Sequence, residues 1–395
     1  MSSLLHRRGR MGRLMRHLRR QSIGPLPDIL RAEEMELYAG GESFFAALFA
    51  ALDRAERLIC LEYYRISADH TGGRLAERLA AAVARGVMVL LIYDMVGCRD
   101  TPASFFSALG RLGVRCLPFN RFSLRRGIRW LDRRDHRKLA IIDGRQAFLG
   151  GLNIADAYAG RLDPPHTFHD VGFSLQGSAV VPLLTLFIEN WTMEQGLPPH
   201  LPPLEPVRRP APGDARVTLI SGGPHQRRSA IRAAFRVAMA AAATELLIAN
   251  PYFVPGPRII RSLLRASRRG VKIRLLLPAR SDVPLVRLVS RSSYQPLLEA
   301  GVEIFELERQ LLHAKLMLID GKRTVLGSAN LDQRSFHRNF EINAIILSRR
   351  FGAQVKSLFE RDLAGSRRIT LDDHAKRGLL SRFLEPLLRP ISWFL

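Results

Sequence analysis

Apolar residues recur along this chain in two rhythms. FFAALFAAL (44–52) has the density of a core helix, and VMVLLIY (87–93) that of a core strand. Both runs are about half as long as the roughly 18–20 apolar residues that span a bilayer. Further apolar strand-like runs lie at 58–64, 246–250 and 271–277, each set between helical patterns. Each half of the chain thus reads helix, strand, helix, strand, helix, strand, hairpin. Apolar strands alternating with helices imply an α/β fold, a sheet with helices on its faces. At the N-terminus, Met11, Leu14, Met15 and Leu18 fall on one helical face, with Arg10, Arg13, Arg16, Arg19 and Arg20 around the rest.

The order of elements in the first half returns in the second. RGVMVLLIYD (85–94) parallels RGVKIRLLLP (269–278), and LGVRCLPF (112–119) parallels AGVEIFEL (300–307). HRKLAIIDGRQAFLGGLNI (136–154) matches HAKLMLIDGKRTVLGSANL (313–331) at nine of 19 positions, at a constant offset of 177. That is a duplication. Seven prolines between 198 and 213 read as the linker between the copies. The chain divides into a basic amphipathic segment (1–35), a first domain (36–197), the linker (198–213), a second domain (214–365) and an apolar, basic C-terminal segment (366–395).

Each copy places His, one residue, Lys, four residues, then Asp-Gly. Side chains alternate along a strand, so His136 and Lys138 share one face, as do His313 and Lys315. Asp143 and Asp320 fall on the opposite parity at an Asp-Gly turn, which favours a hairpin and reads them as turn formers. Gly150-Gly151 and Gly327-Ser328 then allow close backbone approach, followed by Asn153 and Asn330. A doubled His, Lys and Asn suits phosphodiester chemistry. Lysines and amides hold the non-bridging oxygens, one histidine attacks phosphorus, and the other moves the proton of the alcohol. Two lysines supply the charge that a metal would otherwise bring, so neither metal nor cofactor is expected. The lysines are conspicuous: this chain has six, against 54 arginines, and two fill the same slot of the repeat. A compact ammonium fits between two oxygens where a planar guanidinium does not.

At these residues the sequence resembles the phospholipase D superfamily, whose double HxKxxxxD motif it carries complete, over roughly 36–365. Within it, LEYYRI (61–66), PYFVP (251–255) and LGSANLDQRSFHRNFEIN (326–343) look most like the short bacterial cardiolipin synthases of the B type. The resemblance implies two similar halves, each a mixed sheet flanked by helices, about a pseudo-twofold axis with the active site between them. It implies His136, Lys138, Asp143, His313, Lys315 and Asp320 as the catalytic set. His136 would be the nucleophile and His313 the general acid and base, with the reverse assignment open. Asp170 and Glu341 match the positions that orient the imidazoles. Two positions depart from the family pattern: Gly256 stands where an acid is common, and His169 where Arg is common.

Composition narrows the partner. The 395 residues carry 60 Lys+Arg against 36 Asp+Glu, a net charge of +24, and 47% are hydrophobic. Such a chain is globular and seeks something anionic, lipid surface or nucleic acid. Cys60, Cys98 and Cys116 are far apart and form no CxxC, so free thiols in a reducing compartment are expected. Arginines at 121–134 are mixed with Phe122, Leu124, Ile128, Trp130 and Leu131, which favours a lipid rim over a polar groove for nucleic acid. Either the N-terminal segment lies in the membrane interface or it is a basic tail; the C-terminal segment docks on lipid or on the second domain. The expectation is a peripheral phosphatidyltransferase on the cytoplasmic face of a bacterial inner membrane, making cardiolipin from phosphatidylglycerol. Hydrolytic phospholipase D activity and nuclease activity are the rivals. Both half-sites lie in one chain, so catalysis requires no dimer.

Overall fold

The computed structural model describes residues 30–32, 34–121, 132–204, 215–224 and 229–378. After an initial β1 (Leu30–Ala32), the first half runs β2 (Met35–Ala39), α1 (Gly41–Arg54), β3 (Leu58–Tyr63), α2 (His70–Ala84), β4 (Met88–Asp94), α3 (Ala103–Arg111) and β5 (Arg115–Phe119). It continues through a short β6 (Arg134–Asp135), the hairpin β7 (Lys138–Ile142) and β8 (Gln146–Gly150), a short β9 (Phe168–His169), β10 (Val171–Gln176) and α4 (Val180–Gln195). The second half repeats the plan. β11 (Ala215–Gly222), α5 (Ala230–Ala240), β12 (Glu245–Ala249), α6 (Pro257–Arg268), β13 (Lys272–Pro278), α7 (Pro284–Arg291), α8 (Tyr294–Glu299) and β14 (Glu303–Leu307) come first. Then follow β15 (Leu311–Leu312), the hairpin β16 (Leu316–Ile319) and β17 (Arg323–Gly327), α9 (Gln333–His337), β18 (Asn339–Leu347), α10 (Arg349–Ala364), β19 (Ser366–Ile369) and α11 (Leu371–Ala375).

The two sheets share one topology. The first has the order β2-β10-β8-β7-β3-β4-β5, the second β11-β18-β17-β16-β12-β13-β14, with β1 and β19 added at its edges. In each, three strands run parallel (β3-β4-β5; β12-β13-β14) and the hairpin joins antiparallel. The fold is therefore two similar α/β halves about a pseudo-twofold axis. β1 and β19 come from stretches that composition had set apart as terminal segments; both pair with the second sheet, on β11 and β14.

Strand alternation explains the continuous apolar runs. In β3, Leu58 and Cys60 face a core shared between the sheets, while Ile59, Leu61 and Tyr63 face α1, α2 and α3. In the second half Leu247 and Ala249 face the shared core, and Leu246 and Ile248 face the helices outside. Strands buried on both faces carry no polar side. Phe187 and Trp191 of α4 and Phe351, Val355 and Phe359 of α10 close the shared core. Cys60 and Cys98 are buried and Cys116 half-buried, all as free thiols. The proline-rich stretch is irregular as far as it is described, to 204; its Leu201 and Leu204 pack on the shared core and the Pro203 carbonyl accepts from Arg57.

Two short parallel pairings cross between the halves. β6, which leads into His136, pairs with the start of β18, and β15, which leads into His313, pairs with β9. The His136 N–H donates to the Phe340 carbonyl at 3.0 Å, and the His313 N–H to the His169 carbonyl at 2.8 Å. Each histidine is thereby fixed beside the residue that follows in the other half: Glu341 for His136, Asp170 for His313. No described helix is long and apolar enough to cross a membrane.

Candidate active site

The carboxyl ends of the parallel strands open on the cleft. Tyr64 follows β3, Val96 and Arg99 follow β4, and Tyr252 follows β12; all line one cavity of about 640 Å3. β7 runs antiparallel to β3 with Lys138 opposite Tyr63, so the histidine end of the motif lies at that same end. His136, His313, Asn153 and Asn330 all line this cavity.

Each imidazole meets a buried carboxylate from the opposite half. His136 Nδ1 lies 3.0 and 3.1 Å from the two oxygens of Glu341, and His313 Nδ1 lies 2.6 Å from Asp170 Oδ2. Both carboxylates are fully enclosed. Burial alone would raise the pKa of Glu341, but His136, Lys138 and the Ser328 hydroxyl outweigh it and hold the pKa below the usual carboxylate value. Burial is likewise overcome at Asp170 by Lys315 and His313. An ionised carboxylate only accepts, so Nδ1 of each ring carries the proton and Nε2 keeps its lone pair toward the cavity. Burial lowers His136 to about 4, with Lys138 adding to the effect against Glu341. His313 is lowered by burial and by Lys315. Both imidazoles are therefore neutral at pH 7.

The lysines are placed alike. Lys138 Nζ donates to the His136 carbonyl at 2.7 Å, and Lys315 Nζ to the His313 carbonyl. Burial, then mutual repulsion in the case of Lys138, brings that lysine down to about 7; burial brings Lys315 to about 8. The Asn153 and Asn330 side-chain oxygens are buried and have no hydrogen-bond partner among the described residues. Two histidines beside two lysine ammonium groups make a pocket for an oxyanion, and the two amide oxygens are left as acceptors for a donor.

Asp143 and Asp320, by contrast, are not in this cluster. They stand at the far end of the five- and four-residue strands β7 and β16 from the histidines. Their backbones have φ of 51° and 49°, the left-handed turn that Asp tolerates before Gly. Asp143 accepts from the Glu56, Arg57 and Leu58 N–H groups, and Asp320 from Ala243, Thr244 and Glu245. They cap the loops entering β3 and β12. The resemblance counts them in the catalytic set; the structure places them at the turns, where strand parity reads them.

Several side chains make contacts at the site that the sequence reading did not assign to them. Ser328 Oγ donates to Glu341 Oε2 at 2.5 Å, Ser335 Oγ to Oε1 at 2.9 Å and Asn339 to Oε1 at 3.2 Å. Where Ser328 sits, the first half has Gly151, whose missing side chain leaves room for the Asp170 carboxylate. Tyr64 packs edge-on to His136 with ring centroids 5.0 Å apart, and the Tyr158 hydroxyl lies 3.4 Å from His313 Nε2 and 2.9 Å from Asn153 Nδ2. His169, the departure from the family pattern, is paired with Asp362 at 2.9 Å. The repeat offset finds only paired residues, and these are not matched between the two copies.

Comparison with known proteins decides the family. Residues 236–363 match the family model described as cardiolipin synthase, PLD-like domain. A cardiolipin synthase of Geobacillus thermodenitrificans (strain NG80-2) is 35% identical over 373 residues, 94% of this chain and 74% of the relative. Cardiolipin synthase 2 of Bacillus anthracis is 35% identical over 364 residues, 91% of this chain and 70% of the relative. The chain belongs to the cardiolipin synthase family. Within that family it is a phosphatidyltransferase-type enzyme of the phospholipase D superfamily. The fold agrees: phosphatidylserine synthase of Haemophilus influenzae Rd KW20 superposes with a TM-score of 0.70 at 14% identity, covering 93% of this chain and 94% of that one. HRKLAIID and HAKLMLID carry the paired His and Lys just described.

Among the described residues, no three His, Cys, Asp or Glu side chains gather into a group that would hold a metal ion. Residues 122–131 of the arginine-rich stretch expected to form a lipid rim, the N-terminal segment before 30 and the stretch from 379 onward lie outside the described residues.

Proposed function

We propose that this protein transfers a phosphatidyl group from phosphatidylglycerol to a second phosphatidylglycerol, or to another alcohol, through a phosphohistidine intermediate. The observation that carries the reading is the reciprocal pairing of two neutral imidazoles at one cavity, each with the other half's buried carboxylate and each beside its own lysine.

His136 Nε2 attacks phosphorus, the P–N bond forms and the P–O bond to glycerol breaks. His313, protonated once the phosphate monoanion is bound beside it, gives its proton to the departing glycerol oxygen. The second alcohol then returns a proton to His313, its oxygen bonds to phosphorus, and the P–N bond breaks. Lys138, Lys315, Asn153 and Asn330 hold the non-bridging oxygens through both steps. Asp170 and Glu341 stabilise the imidazolium that forms on each ring. His136 takes the nucleophile's part because it is the more open of the two rings, with 12% of its side chain exposed against 5% for His313. The partner is an anionic phospholipid membrane, met peripherally on the cytoplasmic face of a bacterial inner membrane. The net charge of +24 and the arginine-rich rim support that reading.

Purified protein incubated with labelled phosphatidylglycerol vesicles tests it. Cardiolipin and glycerol are the expected products. Phosphatidic acid alone would mean hydrolysis, and cleavage of single-stranded DNA with no lipid turnover would refute both lipid readings. His136→Ala and His313→Ala are each expected to abolish turnover; substantial residual activity in either refutes the two-histidine mechanism.

A further inference from the structure

The fold is symmetric but its cleft is not. Arg99, Arg134 and Arg334 line the cavity on the side of His136, gathered round Tyr64. The repeat register places Val283 where Arg99 stands, Leu311 where Arg134 stands and Ala157 where Arg334 stands. Cys98, buried beneath the first flank, has Asp282 as its counterpart, and Arg65 has Tyr252. One flank of a single cleft is thus cationic. Its symmetry mate, beside His313, has lost every arginine and gained a carboxylate and a phenol.

That second flank is built. The Tyr252 hydroxyl donates to both oxygens of Asp282, at 2.8 and 2.7 Å, which fixes the carboxylate plane at the mouth. Tyr252 packs edge-on to His313, with centroids 6.4 Å apart. Val254, Val283 and Val286 supply an apolar wall. Below them sits Asn330, 3% exposed, whose Oδ1 has no partner among the described residues. Asp332 is also buried there, with one oxygen accepting from the Ser335 N–H.

An ionised carboxylate and an amide oxygen are acceptors. Whatever binds there must bring hydroxyl donors on a short carbon chain. In-line displacement by His136 expels the leaving oxygen on the opposite side of phosphorus, toward His313. We propose that the His313 flank is a polyol subsite in which Asp282, oriented by Tyr252, receives the hydroxyl groups of the glycerol headgroup as it leaves and of the alcohol that replaces it. This rests on the proposed transfer reaction for its biological substrate, but the chemistry it predicts is a property of the free site. Each acidic oxygen accepts from Tyr252 and retains lone pairs for a diol. Tyr252 acts as a positioning residue.

The test uses binding of soluble probes by the full chain, measured by calorimetry. Glycerol 3-phosphate and ethyl phosphate share a phosphate for the lysines and differ in their hydroxyls. The wild type is expected to bind glycerol 3-phosphate about tenfold more tightly, the worth of one hydrogen bond to a charged acceptor. Asp282→Asn should remove most of that preference, and Tyr252→Phe about half of it on a logarithmic scale, while Asp282→Glu restores part. Because the readout is a ratio within each variant, a general loss of affinity does not imitate it. Equal affinities in the wild type, no binding of either probe, or a preference that survives Asp282→Asn overturns the proposal. If the preference behaves as stated but vesicles of phosphatidylglycerol give no lipid product, the transfer reaction is refuted and the subsite stands.

Discussion

Lys138 is a site where function works against stability, and the size of the conflict follows from its surroundings. The side chain is 1% exposed, and burial with the nearby Lys315 brings its ammonium from 10.5 to about 7. Holding it charged at pH 7, relative to an unfolded chain, costs about 4 kcal/mol. Lys138→Met removes that cost and fills nearly the same volume with a flexible thioether. It also removes the bond to the His136 carbonyl at 2.7 Å and the position 5.2 Å from the Tyr64 ring, together worth about 2 kcal/mol. The variant is expected to be more stable by about 2 kcal/mol at pH 7, or about 4 °C in melting temperature. It should lose at least about a hundredfold in turnover, the effect of deleting one donor to the transition state.

The pH dependence gives that reasoning a second handle. Between pH 7 and 10.5 the unfolded chain binds more protons at this position than the folded protein does. Wild-type stability from this group therefore rises with pH, and the advantage of the Met variant shrinks. At pH 9 the cost of the charge has fallen to about 2 kcal/mol, so the two proteins should melt together. Calorimetry at pH 7, 8 and 9 on both proteins reads this directly. A Met variant no more stable at pH 7, or an advantage that grows with pH, refutes the account of a desolvated charge retained for binding phosphate.

Three further outcomes are expected. Asp143→Ala and Asp320→Ala should each lose about 2 kcal/mol in urea unfolding, since several N–H groups lose their acceptor and Ala disfavours positive φ. Turnover per folded molecule should remain within about threefold, and a far larger loss would return these residues to the chemistry. His136, held at about 4 against an ordinary 6.5, makes the fold less stable as pH falls from 6.5 to 4, because only the unfolded chain takes up the proton there. His136→Asn should remove about 3 kcal/mol of that slope, read from unfolding curves at pH 7 and pH 4. EDTA should leave the rate of lipid turnover unchanged within about twofold, because two lysines supply the charge at phosphorus; strong inhibition that zinc or magnesium reverses would contradict this.

The sequence carried the duplication, the sheets and the paired His, Lys and Asn because those features are periodic or repeated. FFAALFAAL became α1 and VMVLLIY became β4 with boundaries shifted by a few residues. Lys138 and Lys315 stood out because two of only six lysines fill the same slot of the repeat. What stayed hidden is asymmetric or made by contact between the halves. Ser328, Ser335 and Asn339 hold Glu341 through three unrelated positions, and nothing in their spacing announces it. Asp282 lies four residues past the end of β13 and has a cysteine as its counterpart, so a search for matched residues passes over it. A duplicated sequence exposes what the copies share; specificity resides where they have diverged.

The crossing pairings explain why the copies stay together. β6 belongs to the first half by sequence and hydrogen-bonds to the second, and β15 does the reverse. Neither histidine has its carboxylate within its own half: His136 depends on Glu341, and His313 on Asp170. Separating the halves would bare two buried carboxylates and leave each imidazole without the partner that fixes its tautomer. The two half-sites therefore form or fail as one, and their cooperation is built into main-chain pairing rather than left to side chains. That arrangement frees the rest of the cleft to diverge. With geometry at phosphorus set by the symmetric core, one flank became cationic and the other became acidic and hydroxylic without disturbing the reacting pair.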